Sequence, residues 1–346
     1  MNKLSYRNRM LIGYCVSMVG LSLLNLIVGV VPTTMSDNNL NMMFTLLSQI
    51  LCMGIIPLCF SIAFRPVRGI PDLRQMVRDY HYRQPYNPKV WIFVLPLCIS
   101  FYLVTQLMAR LTVLLLTLLQ FTFTVNPATI YTGPLDLVKW IALGSLLPAV
   151  FEEFTHRGVA MDALKDRGNE VSMVLLSSLL FAAMHTNIIQ FFFAFGGGLI
   201  MGFLVIKTGS IYPAMLLHFA NNTFSHMESY ASQHPDSVLG FLEKINAFYS
   251  NSIAGLVVCF VVMIAAAFLT IFLLMCIQRY CGRPEGLRER GLRLGKQKEG
   301  KYQWAITLDT YRPYGKPTLA DNVPLIAVLV VTLTMTVFTY VWGVLR

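Results

Sequence analysis

Three short stretches of the chain place ionisable and amide side chains inside otherwise apolar sequence. Phe151–Gly158 reads FEEFTHRG and holds two adjacent carboxylates, an imidazole and a guanidinium. Leu179–His185 ends in an imidazole, and Leu216–Asn222 holds an imidazole and an amide. A carboxylate can activate water, an imidazole can move a proton or bind a metal, and an amide can donate to a developing oxyanion. These are the parts needed for hydrolysis of an amide bond by activated water.

The spacing in the first stretch predicts how its charges divide on a helix. Glu153 and Arg157 are four residues apart, share a face, and stand in the acid-before-base order that favours an ion pair. Glu152 points about 100° away, so we expect it to hold a water while Arg157 fixes its neighbour. The plainer alternative is a structural Glu–Arg pair that bridges helices.

The second and third stretches also have purely structural interpretations. Phe181 lies four residues before His185, where its ring can shield the imidazole from lipid or have a packing role alone. A lone His at the end of an apolar run is typical of a hydrogen-bonded core residue. His218 and Asn222 are also four apart and share a face, and helix–helix hydrogen bonding is the alternative to a catalytic role.

The surrounding composition indicates a membrane protein. Of the 346 residues, 55% are hydrophobic and 13% are charged, where a soluble domain carries roughly a quarter charged residues. A charge at the bilayer centre costs roughly 2.5–3.5 kcal/mol on insertion scales, so the clustering of polar residues in three stretches needs a reason. The seven cysteines form no disulfide framework or CxxC metal motif.

Apolar runs long enough to cross a bilayer recur along the chain. They predict an all-α, polytopic transmembrane helix bundle of eight to nine helices, eight if one of the short middle runs is re-entrant. The predicted spans are Met10–Val31, Asn41–Phe64, Val90–Leu119, Leu137–Leu164, Val171–Ile189, Phe191–Ile206, Tyr212–Ser229, Ser252–Gln278 and Val323–Leu345. We divide the chain into N-terminal helices with a cytoplasmic loop (1–135), a core with the three polar stretches (136–230), and C-terminal helices with a basic cytoplasmic loop at 279–322 (231–346).

The net charge of +10 resides in loops rather than on one basic face, so nucleic acid is not an expected partner. Cytoplasmic segments accumulate Lys and Arg. The N-terminus, the second loop and the segment Arg279–Lys316 are rich in them, whereas Pro32–Leu40 and Phe121–Asp136 have none. With nine spans, the basic and the non-basic loops alternate consistently between the two sides of the membrane, and the N-terminus lies in the cytoplasm.

The three stretches together resemble the motifs of a known family. Glu-Glu-x-x-x-Arg, then Phe-x-x-x-His, then His-x-x-x-Asn, on successive transmembrane segments, is similar to the CAAX protease and bacteriocin-processing family of intramembrane proteases, which includes the Ras-converting endopeptidases. The similarity covers roughly Trp140–Ser225. It implies an intramembrane endopeptidase, dependent on glutamate or on a metal, that cuts a hydrophobic or lipidated peptide in the bilayer.

The resemblance also implies roles for individual residues. Glu152 activates the hydrolytic water, Glu153 and Arg157 shape the first motif, and the remaining catalytic positions are His185, His218 and Asn222. In family terms the histidines either bind a catalytic zinc, with His185, His218 and Glu152 as the three ligands, or position water and oxyanion without a metal. His156 has no counterpart in the motif, so we expect it to be structural or to support a catalytic residue by contact.

Two alternatives from other classes remain at this point. One is a non-proteolytic protein of the same fold, such as an immunity protein or a scaffold that binds a membrane peptide. The other is a proton-coupled transporter that uses the buried cluster as a relay, which predicts an inverted repeat that the sequence does not display. A multi-pass protein of a bacterial plasma membrane is the expected localisation, because most of the family is bacterial.

Overall fold

The computed structural model describes residues 6–30, 37–65, 67, 69–121, 129–165, 169–282 and 319–345. All regular structure within these residues is helical, which confirms the predicted all-α class. Eleven helices follow one another there: α1 Tyr6–Val30, α2 from Asp37 to Phe64, α3 Ile70–Asp79, α4 Val90–Leu118, α5 Pro134–Leu164, α6 Glu170–Met184, α7 Ile188–Thr208, α8 Tyr212–Gln233, α9 Gly240–Ser250, α10 Ile253–Cys281 and α11 Leu319–Leu345.

Each predicted span falls on one of these helices. Among the described residues, α2, α4, α5, α7 and α10 are long and apolar enough to cross a membrane, and α1, α6 and α11 contain shorter apolar stretches. The helices therefore indicate an integral membrane protein. Whether eight or nine of them cross the bilayer stays a prediction, and most of the basic loop at 279–322 lies outside the described residues.

Two helices, α3 and α9, lie where the sequence was interpreted as loop. In α3 the apolar side chains of one face are Ile70, Leu73, Met76 and Val77, and the charged side chains of the other face are Asp72, Arg74, Arg78 and Asp79, so the helix is amphipathic. Pro71 stands in its first turn, where proline is well tolerated because the N–H there has no intrahelical partner. Both helices have about ten residues, so a search for membrane-length apolar runs passes over them.

Three π-helical segments interrupt the long helices. They are Leu47–Ile55 in α2, and Ile141–Leu146 and Phe154–Ala160 in α5. A π turn holds more residues than an α turn, so it changes the direction in which the following side chains point, and such segments are frequent at functional sites. Each of the three segments contains a residue that contacts the polar cluster described below, or one that contacts a helix contributing side chains to that cluster.

Two prolines leave backbone carbonyls open for side chains. A proline has no N–H to donate to the carbonyl four residues earlier, which is Met53 O for Pro57 and Gly144 O for Pro148. Met53 O accepts a hydrogen bond from the hydroxyl of Thr155. Gly144 O accepts one from the α8 amide discussed below. Each proline therefore frees an acceptor that fixes a neighbouring helix.

Glycines bring α6 and α7 close together. A Cβ on Gly198 would lie 2.8 Å from the Cβ of Ser178, and one on Gly202 would lie 3.2 Å from a methyl group of Val174. This agrees with the close approach that the Gly-x-x-x-Gly spacing predicts. The absence of a side chain at this glycine also leaves the carbonyl oxygen of Gly198 accessible to a side chain from α5.

The segment between α3 and α4 fixes the start of α8. The backbone N–H of Ile211 donates to His81 O at 2.9 Å, and Arg83 Nε donates to Gly209 O at 2.7 Å. Gly209 ends α7 with φ at +69°, a left-handed conformation that glycine adopts without a steric penalty. A Cβ there would also collide with the ring of Tyr86. The turn into α8, and hence the position of the third polar stretch, is tightly defined.

Candidate active site

The three polar stretches meet between α5, α6 and α8. Glu153 Oε1 accepts hydrogen bonds from Arg157 Nη1 at 2.8 Å and from His218 Nδ1 at 2.9 Å. Glu153 and Arg157 are completely buried, and His218 is 6% exposed. The ion pair predicted from the spacing is present, and an imidazole from a different helix joins it.

Arg157 has further contacts that compensate for its burial. Its Nη2 donates to Gly198 O at 3.3 Å, and the guanidinium lies 4.4 Å from the ring centre of Phe181. Buried charges need a charged partner and additional hydrogen bonds to offset their desolvation, and an aromatic face adds a cation–π attraction. The guanidinium therefore ties α5 to both α6 and α7.

Glu152 has a different environment from its neighbour. Its Oε1 accepts a hydrogen bond from Gln49 Nε2 at 2.6 Å, and its Oε2 lies 3.8 Å from His218 Nε2. Its exposed fraction is 7%. The carboxylate of Glu153 is thus paired with a cation. The carboxylate of Glu152 accepts a hydrogen bond from a neutral amide, and its other oxygen is directed towards the imidazole of His218.

The hydrogen bond to Glu153 defines the tautomer of His218. An ionised carboxylate only accepts hydrogen bonds, so His218 Nδ1 carries a proton, and in the neutral imidazole Nε2 then carries a lone pair. The carboxylate also fixes the orientation of the ring. His218 therefore presents a proton acceptor 3.8 Å from a carboxylate oxygen of Glu152.

Phe181 lies at the centre of the cluster. Three imidazoles stand roughly perpendicular to its ring, those of His156 and His185 with centroids 5.2 Å away and that of His218 at 5.7 Å. The same ring faces the Arg157 guanidinium. An aromatic ring can satisfy both kinds of neighbour because its face is negative and its edge positive. Phe181 packs, as expected, and it also sets the separation of the imidazoles.

His185 follows the last residue of α6 and is half-buried. Its Nδ1 lies 2.9 Å from Phe181 O, and because a carbonyl accepts, the proton lies on Nδ1 and Nε2 is left as an acceptor. Its ring lies 5.2 Å from that of Phe181, which also contacts His218 and Arg157. His185 therefore belongs to the same polar cluster as the first and third motifs.

The donor chemistry at His185, His218 and Glu152 suits a metal, because both Nδ1 atoms are anchored as they are in metal sites. Three side-chain ligands at bonding distance are the minimum for a catalytic zinc. No group of three His, Cys, Asp or Glu side chains within the described residues has that arrangement. These residues do not form a three-ligand site in this geometry, and a metal requirement stays a prediction.

Asn222 lies one turn beyond His218 on α8. Its Nδ2 donates to Gly144 O at 3.2 Å, and its Oδ1 accepts from Asn221 Nδ2 at 3.4 Å. Asn221 Oδ1 in turn accepts from the hydroxyl of Thr105 at 2.8 Å. This chain fixes the amide with its NH₂ group towards α5, and the group has a second N–H to donate.

The remaining histidines have other partners. Both ring nitrogens of His156 are engaged, Nε2 with the hydroxyl of Tyr14 at 2.9 Å and Nδ1 with Glu152 O at 2.8 Å. This geometry agrees with the structural role expected for it. His226 and His234 contact Tyr131 through its hydroxyl and its carbonyl respectively.

Two residues of the site escaped the sequence analysis. Gln49 reaches Glu152 from α2, and Tyr14 reaches His156 from α1. Tyr14 is completely buried and Gln49 is 7% exposed. A polar side chain inside a membrane-length apolar run needs a hydrogen-bond partner. This sequence signal applies to the amide of Gln49 as it does to the charged residues.

Comparison with known proteins gives one family. Residues 134–224 match the model of the type II CAAX prenyl endopeptidase Rce1-like family. A search of curated proteins and a search of solved structures found no match. The matched segment begins with α5 and ends within α8, so it contains the three polar stretches whose side chains meet in the structure. This match supports membership of the chain in the CAAX protease and bacteriocin-processing family of intramembrane proteases.

Proposed function

We propose that this protein is an intramembrane endopeptidase in which Glu152 activates water to hydrolyse a peptide bond. One observation carries the proposal. Glu152 Oε2 and His218 Nε2 lie 3.8 Å apart, and with a neutral imidazole both are acceptors at a separation that lets one water donate a proton to each. The lone pair of that water is then free to attack a carbonyl carbon between the helices.

These positions support a proposed reaction in two steps. The water oxygen forms a bond to the peptide carbonyl carbon while its proton passes to Glu152, and the carbonyl electrons move to the oxygen. Glu153 holds His218 through Nδ1, so Nε2 keeps the water in place. The protonated Glu152 then delivers its proton to the amide nitrogen as the carbon–nitrogen bond breaks. The products are a carboxylic acid and an amine.

Asn222 is the proposed donor to the oxyanion. Its amide is already oriented by Gly144 O and Asn221, and a pre-oriented donor stabilises developing charge without reorganisation at the moment of reaction. His185 carries an acceptor nitrogen beside the same cluster and is the proposed second contact to the water.

A hydrophobic or lipidated peptide is the proposed substrate. An apolar groove of about 510 Å³ lies between α4 and α8, on the side of α8 that faces away from His218 and Asn222. Burial of apolar surface contributes roughly 25 cal/mol per Å², so such a groove favours a lipid chain or a row of apolar side chains. Its lining residues are Leu95, Pro96, Cys98, Ile99, Leu216, Phe219, Ala220, Thr223 and Phe224.

The decisive test removes the proposed base. The wild type, Glu152→Ala, His185→Ala and Glu228→Gln are purified in detergent and assayed with a fluorogenic peptide library that includes lipidated members. Glu228 is the control, because it is a carboxylate on α8 that accepts a hydrogen bond from Tyr102 outside the motifs. We expect cleavage by the wild type and Glu228→Gln only. Equal cleavage by wild type and Glu152→Ala refutes the assignment.

The same preparations test the alternatives. Elemental analysis and chelator treatment decide whether zinc takes part, since stoichiometric zinc that is lost in His185→Ala indicates a metalloprotease. Peptide binding without cleavage by the wild type indicates the non-proteolytic protein of the same fold. A reporter fused to the C-terminus tests the orientation, because nine spans with a cytoplasmic N-terminus put it outside the cytoplasm of the proposed bacterial plasma membrane.

A further inference from the structure

Gln49 reaches the proposed base from outside the segment that matches the family. It lies in α2, whereas the match covers residues 134–224. Its Nε2 donates to Glu152 Oε1 at 2.6 Å, and its side chain is 7% exposed. An amide in a membrane-length apolar helix lowers the stability of that helix in the bilayer unless it has a partner, and here the partner is the carboxylate to which catalysis is assigned.

The orientation of the amide follows from its partner. A carboxylate accepts hydrogen bonds, so the NH₂ group of Gln49 must face Glu152 and its oxygen must face away. That oxygen is buried and has no hydrogen-bond partner among the described residues. The side-chain bonds that the structure records for Gln49 therefore run to Glu152 alone, and the amide is not one link in a wider network between helices.

The backbone of α2 holds Gln49 at this place. The π segment Leu47–Ile55 sets the direction of the side chain. Two contacts then fix α2 against α5: the Thr155 hydroxyl donates to Met53 O, and Gly54 lies where a Cβ would come within 2.9 Å of the Phe151 ring. Phe151 and Thr155 flank the carboxylate pair in sequence. The distance from Gln49 to Glu152 is thus set by contacts on both sides of the bond.

We infer that Gln49 is a positioning residue for the proposed peptide hydrolysis. By occupying Oε1 of Glu152 it leaves Oε2, the oxygen near His218, as the one available to water. Without it, the carboxylate can rotate about its last bond and present either oxygen in either direction. The inference rests on the proposed function, and it makes α2 part of the active site.

The test separates positioning from packing. Gln49→Met keeps the length of the side chain and removes the donor, and Ser48→Ala is the control because Ser48 is a buried neighbour that bonds within its own helix to Thr45 O. Values of kcat and KM, the affinity for a non-cleavable peptide, and the thermal unfolding midpoint are measured for each. We expect kcat of Gln49→Met to fall about tenfold or more, as for loss of a hydrogen bond to a charged group, with KM and peptide affinity unchanged.

A second variant exchanges the two groups. Gln49→Glu with Glu152→Gln keeps one amide and one carboxylate in contact but moves the carboxylate to α2. We expect its unfolding midpoint to approach that of the wild type while kcat stays at the level of Glu152→Gln alone.

The outcomes are distinct. A kcat of Gln49→Met equal to that of the wild type overturns this inference, as does a fall in kcat that is matched by changes in KM and in the unfolding midpoint. A wild type that cleaves no peptide overturns the proposed function, and the inference with it.

Discussion

Removal of the Glu153 carboxylate tests how the buried cluster is held together. Glu153 and Arg157 are completely buried, and Glu153 Oε1 accepts from both Arg157 and His218. In Glu153→Leu the guanidinium keeps its contact with Gly198 O and its place over Phe181 but loses its counter-charge. Loss of one partner of a buried ion pair typically costs ~3–5 kcal/mol, so we expect the free energy of unfolding to fall by about that amount.

The double variant Glu153→Leu with Arg157→Met separates stability from activity. Replacement of both members of a buried pair by apolar residues of similar size is often neutral, so we expect most of the lost stability to return. Activity should not return, because His218 Nδ1 no longer has the carboxylate that fixes its proton and its ring orientation.

The assay is equilibrium unfolding in a mild detergent, together with peptide cleavage by the same samples. Lys139→Met is the control, since Lys139 pairs with Asp136 on the same helix but is half-exposed, and such pairs contribute about 0–1 kcal/mol. If the double variant is as unstable as Glu153→Leu, pairing is not what offsets the burial of Arg157. If the double variant is active, the anchoring of His218 by Glu153 is not needed for hydrolysis.

Three further predictions follow from single contacts. Asn222→Ala should lower kcat by about two to three orders of magnitude, as for loss of an oxyanion donor, with the KM of the peptide little changed; a purely structural amide would instead lower the unfolding midpoint and leave kcat intact. Tyr14→Phe should cost ~1–3 kcal/mol of unfolding free energy, because His156 is left buried without its phenol partner. The value of kcat should change less than about twofold, or under ~0.4 kcal/mol in the transition state, because Tyr14 bonds to His156 and not to a proposed catalytic side chain. Gly198→Val should lower the free energy of unfolding by ~1–3 kcal/mol, because the new side chain collides with Ser178. The unfolding midpoint is compared with that of the control Gly196→Ala, whose added Cβ meets only the flexible end of a methionine side chain. Equal midpoints for the two variants would contradict the close packing of α6 and α7.

The groove between α4 and α8 gives a fifth prediction, about substrate class. Ala220→Trp should fill the groove and raise KM for lipidated peptides, while peptides without a lipid keep the KM of the wild type. Parallel measurement of both peptide types in the same detergent checks this. A uniform rise in KM would argue for a distorted α8 rather than for a lipid site.

Much of the site was predictable because it lies within single helices. The distance of four residues places Glu153 beside Arg157 and His218 above Asn222 whatever the rest of the chain does, and the first of these pairs is present at 2.8 Å. The apolar runs likewise predict a membrane bundle, because a backbone in lipid must satisfy its own hydrogen bonds. The short amphipathic helices α3 and α9 were missed, since nothing in a membrane-length search responds to ten-residue helices.

The sequence by itself determined the fold class, the membrane setting and the three polar stretches, all of which depend on local periodicity and composition. Only the tertiary structure decided that Glu153 binds His218, that Glu152 binds Gln49, and that Phe181 separates three imidazoles. Contacts between helices depend on crossing geometry, on glycines that permit close approach and on π segments that redirect side chains. None of these is a property of residue spacing within one helix, so the partner of each buried carboxylate becomes visible only when the helices are packed.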